Sequence, residues 1–506
     1  MSETTESVDD GTLARLVGWF DSRLGLSHEM LRPAPLYSVN PFYWLGALAV
    51  VAFVIQGVTG MMMMLYYTPS PTLAYPSTQY IFQSVTYGTF LETVHLYTAY
   101  AMIMLAFMHL MRGYFVSVHK KPRELMWLVG MVMGFVTLGF GFTGYLLPWT
   151  IVSKSATDVG LGMVQALPAP ISSLLTFLIV GTGGDSAEIL RFYDLHVVVL
   201  PAVLLILLVL KMYMLETHGV SEPVGDGPVP ETKKKLIPIF PDMSFYLLEL
   251  AALFGAAILV ISVAFPLTLP PQYSAAIAGN YTSQPDWYFL WVYQILKISV
   301  FEKAGLPVAL TAVSLVFAVL FLLPFLDKGP TRTISKRLKF VTLGAIFVAE
   351  VAVLAVWGYL TPGRAIPNEQ ALLVLGGTAL LVALGSVVAY RVVFGATRKL
   401  SGASLPAMPA ASRALINQSV RTTSLWTAGS FVFLLILGAI SLGSAFSGLT
   451  GLAVLGASGP LLTSFLFGMA GLAAAVVGTC FLVYRLDLPT GRIRRRVRAF
   501  ERGWRW

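Results

Sequence analysis

The chain has 506 residues, 56% of them hydrophobic and 12% charged, and a mean hydropathy of +0.75, whereas soluble domains carry about 25% charged residues. That balance excludes a soluble enzyme and a disordered chain, and the lone cysteine, Cys480, excludes an internal disulfide framework. The net charge of +9 is spread between long apolar runs, as in membrane loops, so a nucleic-acid partner is not expected.

The segment ahead of Pro41 carries Asp9, Asp10, Arg15, Asp21 and Arg23 and shows no short apolar core before a small-residue cleavage site, so no removable signal peptide is expected. About ten stretches then reach the roughly 20 apolar residues needed to cross a bilayer. They centre near Ala52, Ala106, Phe135, Leu204, Leu253, Phe317, Val348, Leu381, Phe433 and Gly471. The expected fold class is therefore an all-α integral membrane protein. With a cytoplasmic N-terminus, about 29 of the 34 basic residues fall on the cytoplasmic side, leaving Lys154, Arg191, Lys297, Lys303 and Arg364 outside. This predicts a multi-pass protein of the cytoplasmic membrane with both termini inside. The run from Arg492 to Arg505 serves that topology, with a further attraction to anionic lipid headgroups.

On the first span, Gly46 and Gly60 stand at i and i+14, and Gly130 and Gly144 repeat that spacing on the third. The second span carries His95 and His109 at the same spacing, within about 40° of one helical face and about 21 Å apart in height. The fourth span is expected to start at His196; Lys211, at i+15 from it, is the only strongly coordinating or charged side chain near its other end inside the span. Ionisable groups inside a membrane are expensive and call for a function. Two facing helices with ligands at matching heights would clamp two stacked planar cofactors, and haem iron held by two axial protein ligands fits these residue types. Glycines at the same spacing let a flat macrocycle approach the backbone. For Lys211 two readings stand, an iron ligand after loss of its proton or a cation reaching to the interface.

The stretch from Glu216 to Lys235 is polar and rich in Gly and Pro, a linker. Further on, Glu92, Glu249 and Glu350 lie at or inside spans, as proton relays or as locally paired carboxyls. The last three spans, about Gln370 to Tyr484, contain no histidine and are assigned to packing or to docking a partner subunit. Cys480 reads as a buried inert thiol or a lipidation site.

Several segments, taken together, resemble a known family. They are NPFYWLG at 40–46, VHLYTAYAMIMLAFMHLMRGYF at 94–115, KKPREL at 120–125, GFTGYLLPW at 141–149, RFYDLHVVVLP at 191–201 and QPDWYFLWVYQILK at 284–297. Over about Trp19 to Leu360 the chain resembles the cytochrome b subunit of quinol-oxidising cytochrome bc complexes, especially the short form of photosynthetic membranes. The resemblance implies that 1–230 form a haem-bearing four-helix bundle, that 231–366 add three helices around a quinol site, and that 367–506 are an extension. It implies two non-covalent haems, the outer one on His95 and His196 and the cytoplasmic-side one on His109 and the Lys211 position; since the family has a histidine at that position, the alternatives there are ligation by Lys211, ligation by His218, or no second haem. Arg112 would meet a haem propionate. Within the quinol-oxidation motif, Asp286 stands where an acidic residue, commonly Glu, accepts a quinol proton; Tyr288 and Tyr145 would line the pocket, Pro285 fix the turn and Trp287 sit at the interface.

Departures from the family pattern also carry information. Leu96 occupies a position that often carries a basic residue, and Trp44 occupies the place of a haem-attaching cysteine, so no covalent haem is expected. The chain lacks the ligand set for an iron–sulfur cluster, so the implied activity needs a separate Rieske protein, with a haem or copper acceptor or an oxidase downstream, and a homodimer is the family expectation. The implied reaction is quinol oxidation at an outer site, one electron passing to the Rieske partner and one across the membrane, coupled to proton translocation. Two rival readings are a diheme anchor of another quinone-linked oxidoreductase and a cofactor-free proton-coupled transporter; PDWY at 285–288 argues against the first, and the lack of a visible internal repeat against the second.

Overall fold

The computed structural model describes residues 33–391 except 182, 223–235, 280, 283 and 334–335, together with 19, 22 and 23. The expected spans near Phe433 and Gly471, Cys480 and the basic run from Arg492 to Arg505 lie outside the described residues.

Backbone in an apolar medium must satisfy every N–H and C=O within its own segment, so the long apolar runs become helices. In chain order these are α1 Leu45–Met64, α2 Ala74–Gln83, α3 Gly88–Phe115, α4 Glu124–Leu146, α5 Ile151–Gln165 and α6 Ala169–Ile179. There follow α7 Asp185–His218, α8 Ser244–Ala264, α9 Leu290–Leu296, α10 Leu306–Phe321, α11 Leu338–Leu360 and α12 Asn368–Tyr390. Among the described residues, α1, α3, α4, α7, α8, α11 and α12 are long and apolar enough to cross a membrane, and α10 is a shorter apolar helix. Each coincides with one of the first eight expected spans. Large apolar side chains such as Met61, Val209, Val263 and Leu372 are more than 60% exposed on these helices, a surface that suits lipid.

Two features depart from the sequence expectation. α2, α5, α6 and α9 are additional short helices; α5 opens with a capping box in which Thr150 and Ser153 satisfy each other's backbone N–H groups. The fourth span does not start at His196 but at Asp185, because its first turns carry Asp185, Glu188 and Arg191, which a search for apolar residues passes over. His196 lies in a π-helical turn, Leu195–Val199, where the N–H of Leu200 reaches the carbonyl of Leu195. Pro201 sits just beyond it, and a proline has no N–H to give the usual carbonyl four residues back, so a wider turn suits that point.

α1 packs along α3, α4 along α7, and α3 against α4. Midway along this bundle Ala52, Met102, Val136 and Leu204, one from each of the four helices, form a buried apolar layer. In sequence the layer lies between His95 and His109 on α3 and between His196 and Lys211 on α7. α9 and α11 pack together beside α3, where Tyr97, Tyr100 and Ile103 join Trp287, Tyr288, Leu290, Val351, Ala352, Ala355 and Tyr359 in one buried cluster. A short antiparallel pair, β1 Pro33–Pro35 with β2 Leu236–Pro238, joins the chain before α1 to the chain before α8.

Candidate functional site

At one end of the bundle the rings of His95 on α3 and His196 on α7 face each other with centroids 6.4 Å apart and planes at 64°. Two metal–imidazole bonds of about 2 Å each, plus the reach from nitrogen to ring centre, fill such a gap with a single metal atom. The Nδ1 of His95 lies 2.8 Å from the Thr59 hydroxyl, and that of His196 lies 3.1 Å from the Thr143 hydroxyl. Thr59 gives its proton to the Ile55 carbonyl and Thr143 gives its proton to the Gly139 carbonyl. Each hydroxyl therefore accepts from Nδ1–H, which leaves the Nε2 lone pair of both rings free for a metal.

Glycines stand behind all four candidate ligands. A Cβ on Gly144 would lie 2.6 Å from His196 Cε1, one on Gly60 3.4 Å from His95 Cε1, one on Gly46 3.1 Å from His109 Cε1, and one on Gly130 2.5 Å from the Lys211 Nζ. The paired spacing read in the sequence thus corresponds to three close approaches of backbone to a candidate ligand, at Gly46, Gly130 and Gly144, and one ordinary contact, at Gly60. At the His109 end, Arg112 is 5% exposed, its guanidinium 3.9 Å over the Tyr43 ring, with Nε and Nη2 lacking hydrogen-bond partners. His109 Nδ1 is likewise buried without a partner. A buried guanidinium with two unused donors suits a carboxylate of a bound group, as a haem propionate would supply. His218 is half-buried and its Nδ1 lies 2.9 Å from the Met214 carbonyl of its own helix.

Beside the bundle, Asp286 is 5% exposed. Tyr100 of α3 donates to its Oδ1 at 3.1 Å, and Tyr288 donates to its Oδ2 at 3.5 Å. Trp287 stands at right angles to Tyr288, centroids 5.5 Å apart. Gly141 of α4 makes room for Tyr288, since a Cβ there would be 2.9 Å from its hydroxyl, and Tyr145 comes within electrostatic reach of Asp286 and Tyr288. Gln284, beside Pro285, donates to the Gly358 and Tyr359 carbonyls at 2.9 and 3.1 Å, fastening the loop to α11. Three helices, α3, α4 and α11, thus converge on one buried carboxylate in an aromatic wall.

Sequence reasoning missed Thr59, Thr143, Tyr43 and Tyr100, whose roles come from packing; all four lie on or beside the spans that carry the motifs. It also missed two ionic clusters. His119, wholly buried, sits 3.0 Å from Asp327 Oδ2; Lys120 reaches Oδ1 at 3.1 Å, and Arg337 Nε donates to Oδ2 at 2.9 Å. Burial pushes the His119 imidazole down to about 4 against the opposing bond to Asp327. Burial works against the Asp327 carboxylate, yet its bonds to Arg337, Lys120 and His119 hold it below its ordinary 3.8. On α5, Lys154 pairs with Asp158 and lies 3.4 Å from Glu188 and 3.7 Å from Asp185. Burial opposes that ammonium too, but the three carboxylates hold it above its ordinary 10.5.

The same arrangement of residues has counterparts among known proteins. A family model described as cytochrome b/b6/petB matches residues 32–219, and one described as the C-terminal part of cytochrome b/b6/petD matches 281–375. The chain is similar to the cytochrome b subunit of a cytochrome bc complex from Chlorobaculum thiosulfatiphilum, 31% identical over 344 residues covering 66% of this chain and 78% of the relative. It is similar to a cytochrome b of Sulfolobus acidocaldarius, 32% identical with coverage of 72% and 69%, and to the cytochrome b6 of Heliobacterium mobile, 39% identical with coverage of 41% and 100%. A solved structure titled hyperthermophilic respiratory Complex III superimposes with a TM-score of 0.60 at 25% identity, over 74% of this chain and 96% of that one.

Proposed function

The chain belongs to the cytochrome b family, as a subunit of a bc-type respiratory complex in a membrane, and from that premise we propose that it oxidises quinol at Asp286. The single observation carrying the proposal is the buried Asp286 carboxylate held by two tyrosines beside the bundle. Quinol oxidation releases two protons and two electrons, and an apolar pocket needs a fixed acceptor for the ring hydroxyl proton. An Asp286 oxygen takes that proton. Tyr100 and Tyr288 orient the carboxylate, Trp287 and Tyr288 wall out water, and Gln284 with Pro285 sets the loop.

The residues of the bundle would hold two haems, an outer one on His95 and His196 and a cytoplasmic-side one on His109, where the unused donors of Arg112 would pair with a propionate. When bound, the two haems supply one-electron carriers at two depths, so that one quinol electron crosses the membrane while the other leaves to a Rieske iron–sulfur partner. The chain's own part is to hold ligands of fixed tautomer, through Thr59 and Thr143, and to keep the span between them apolar, through Ala52, Met102, Val136 and Leu204. With the termini assigned to the cytoplasm from the distribution of basic residues, the protons leave on the outer side. We assign 1–230 to the haem bundle, 231–366 to the quinol-site part and 367–506 to an extension. A haem, copper or oxidase acceptor downstream and a homodimer complete the assembly.

Stopped-flow mixing of the purified complex with quinol tests this reading. Haem reduction within turnover time, abolished by removing the Rieske protein while haem content stays constant, is the expected result. Haem reduction that ignores both quinol and Asp286→Asn would contradict it.

A further inference from the structure

Resting on the cytochrome reading above and deepening it, we propose that Lys211 binds the cytoplasmic-side iron through its amine nitrogen, making that haem a histidine–amine site opposite His109. Three features support this role.

The first is the notch. Each of His95, His109 and His196 lies against a glycine, and the Lys211 Nζ occupies the corresponding place at Gly130, where a Cβ would stand 2.5 Å away, the closest of the four approaches. A lysine that merely reached for water has no need of a glycine opposite its terminal atom. The second is register. His196 and Lys211 stand at i and i+15, one position more than His95 and His109, and the π turn at Leu195–Val199 takes up one extra residue. Lys211 therefore stands relative to His196 as His109 stands relative to His95. The third is direction. Lys211 is flanked by Leu210, Met212 and Tyr213, which are 41%, 53% and 70% exposed on the outward face of α7, while its own side chain turns inward to α4 and comes within electrostatic reach of His109. No hydrogen bond or ion pair to the amine is formed among the described residues. Lys211 is half-buried; an amine without a partner inside an apolar bundle is costly as an ammonium, and a metal bond removes that cost because ligation needs the neutral form.

His218 is the competing ligand. It lies seven residues further along α7, about 10 Å of helix rise, and its Nδ1 is bound to the Met214 carbonyl. On haem insertion the Lys211 N–H bond breaks and its proton passes to the aqueous phase. The nitrogen lone pair then forms the N–Fe bond, with no change in iron oxidation state.

Haem counting and ferric-state spectroscopy on the complex purified with its full-length chain separate the cases. Electron paramagnetic resonance and near-infrared magnetic circular dichroism should show two low-spin haems of different type, one bis-imidazole and one imidazole–amine. Lys211→Ala should turn one of the two haems high-spin or lower the ratio from two to one. Lys211→His should restore two low-spin haems with both charge-transfer bands in the bis-imidazole position, and His218→Ala should leave the wild-type spectrum. The proposal is overturned if both wild-type haems are bis-imidazole, if Lys211→Ala leaves the spectrum unchanged, or if His218→Ala removes the second signal. A wild-type chain without haem would overturn the cytochrome reading itself, an outcome distinct from two haems with the wrong ligand.

Discussion

Replacing Gly144 by alanine inserts one methyl group where its carbon would stand 2.6 Å from the Cε1 and 3.1 Å from both nitrogens of His196. Ordinary contact begins near 3.4 Å, so the ring must retreat by roughly 0.8 Å, several times the ±0.2 Å tolerance of a metal–ligand bond. The neighbours restrict that retreat, because Phe140 packs edge-on against the same ring at 5.7 Å and Thr143 holds its Nδ1. Overpacking of this kind costs about 1–3 kcal/mol where the site cannot relax. Pyridine haemochrome quantification together with the absorption spectrum of the native ferric protein should show the outer haem lost or high-spin in Gly144→Ala. Gly60→Ala, with its Cβ at 3.4 Å from His95, should retain it, and Gly134→Ala, which meets nothing within 4 Å, should be neutral or stabilising. The reasoning fails if Gly144→Ala keeps the wild-type haem content and spectrum, or if Gly134→Ala is as damaging as Gly144→Ala.

Four further outcomes follow from other contacts. Asp286→Asn keeps the shape of the pocket but removes the proton acceptor, so quinol oxidation in steady-state assays should fall by about 10²–10⁴-fold at constant haem content, with Asp286→Glu retaining far more activity. Thr143→Val removes the acceptor for His196 Nδ1–H, and haem retention under dilution should weaken by about 10–100-fold at that site alone. Asp327→Asn leaves His119, Lys120 and Arg337 without their anion and should destabilise the chain by about 3 kcal/mol or more, read as thermal aggregation in detergent. For the same cluster, His119 binds a proton near 6.5 when exposed but only near 4 when buried. The unfolded chain thus binds more protons between these values, and stability should be full above about pH 6.5 and fall as the pH drops toward 4. Asp327, depressed below 3.8 by its partners, continues that loss in the same direction at lower pH.

The sequence reading succeeded where the physics is periodic. Hydropathy located α1, α3, α4 and α8, and a repeat of 14 in both histidines and glycines singled out the histidines and the glycines that pack against them from neighbouring helices. It failed at the start of α7, since Asp185, Glu188 and Arg191 interrupt the apolar run, and at the π turn, which only the backbone hydrogen bond from Leu200 to Leu195 reveals. Asp286 was legible through its motif, whereas its partner Tyr100 was not. Nothing local in the sequence links two residues 186 positions apart. His119 and Asp327, 208 positions apart, were invisible for the same reason, as each reads in isolation as an ordinary loop residue.

The central claim is that one bundle holds two haems, each between two helices, and the direct measurement is the number of haems per chain in the purified protein together with its reduced-minus-oxidised spectrum. Two haems per chain, one lost on His95→Ala and the other on His109→Ala, is the expected result. One haem per chain, or two that vanish together when either histidine is replaced without loss of fold, would contradict it.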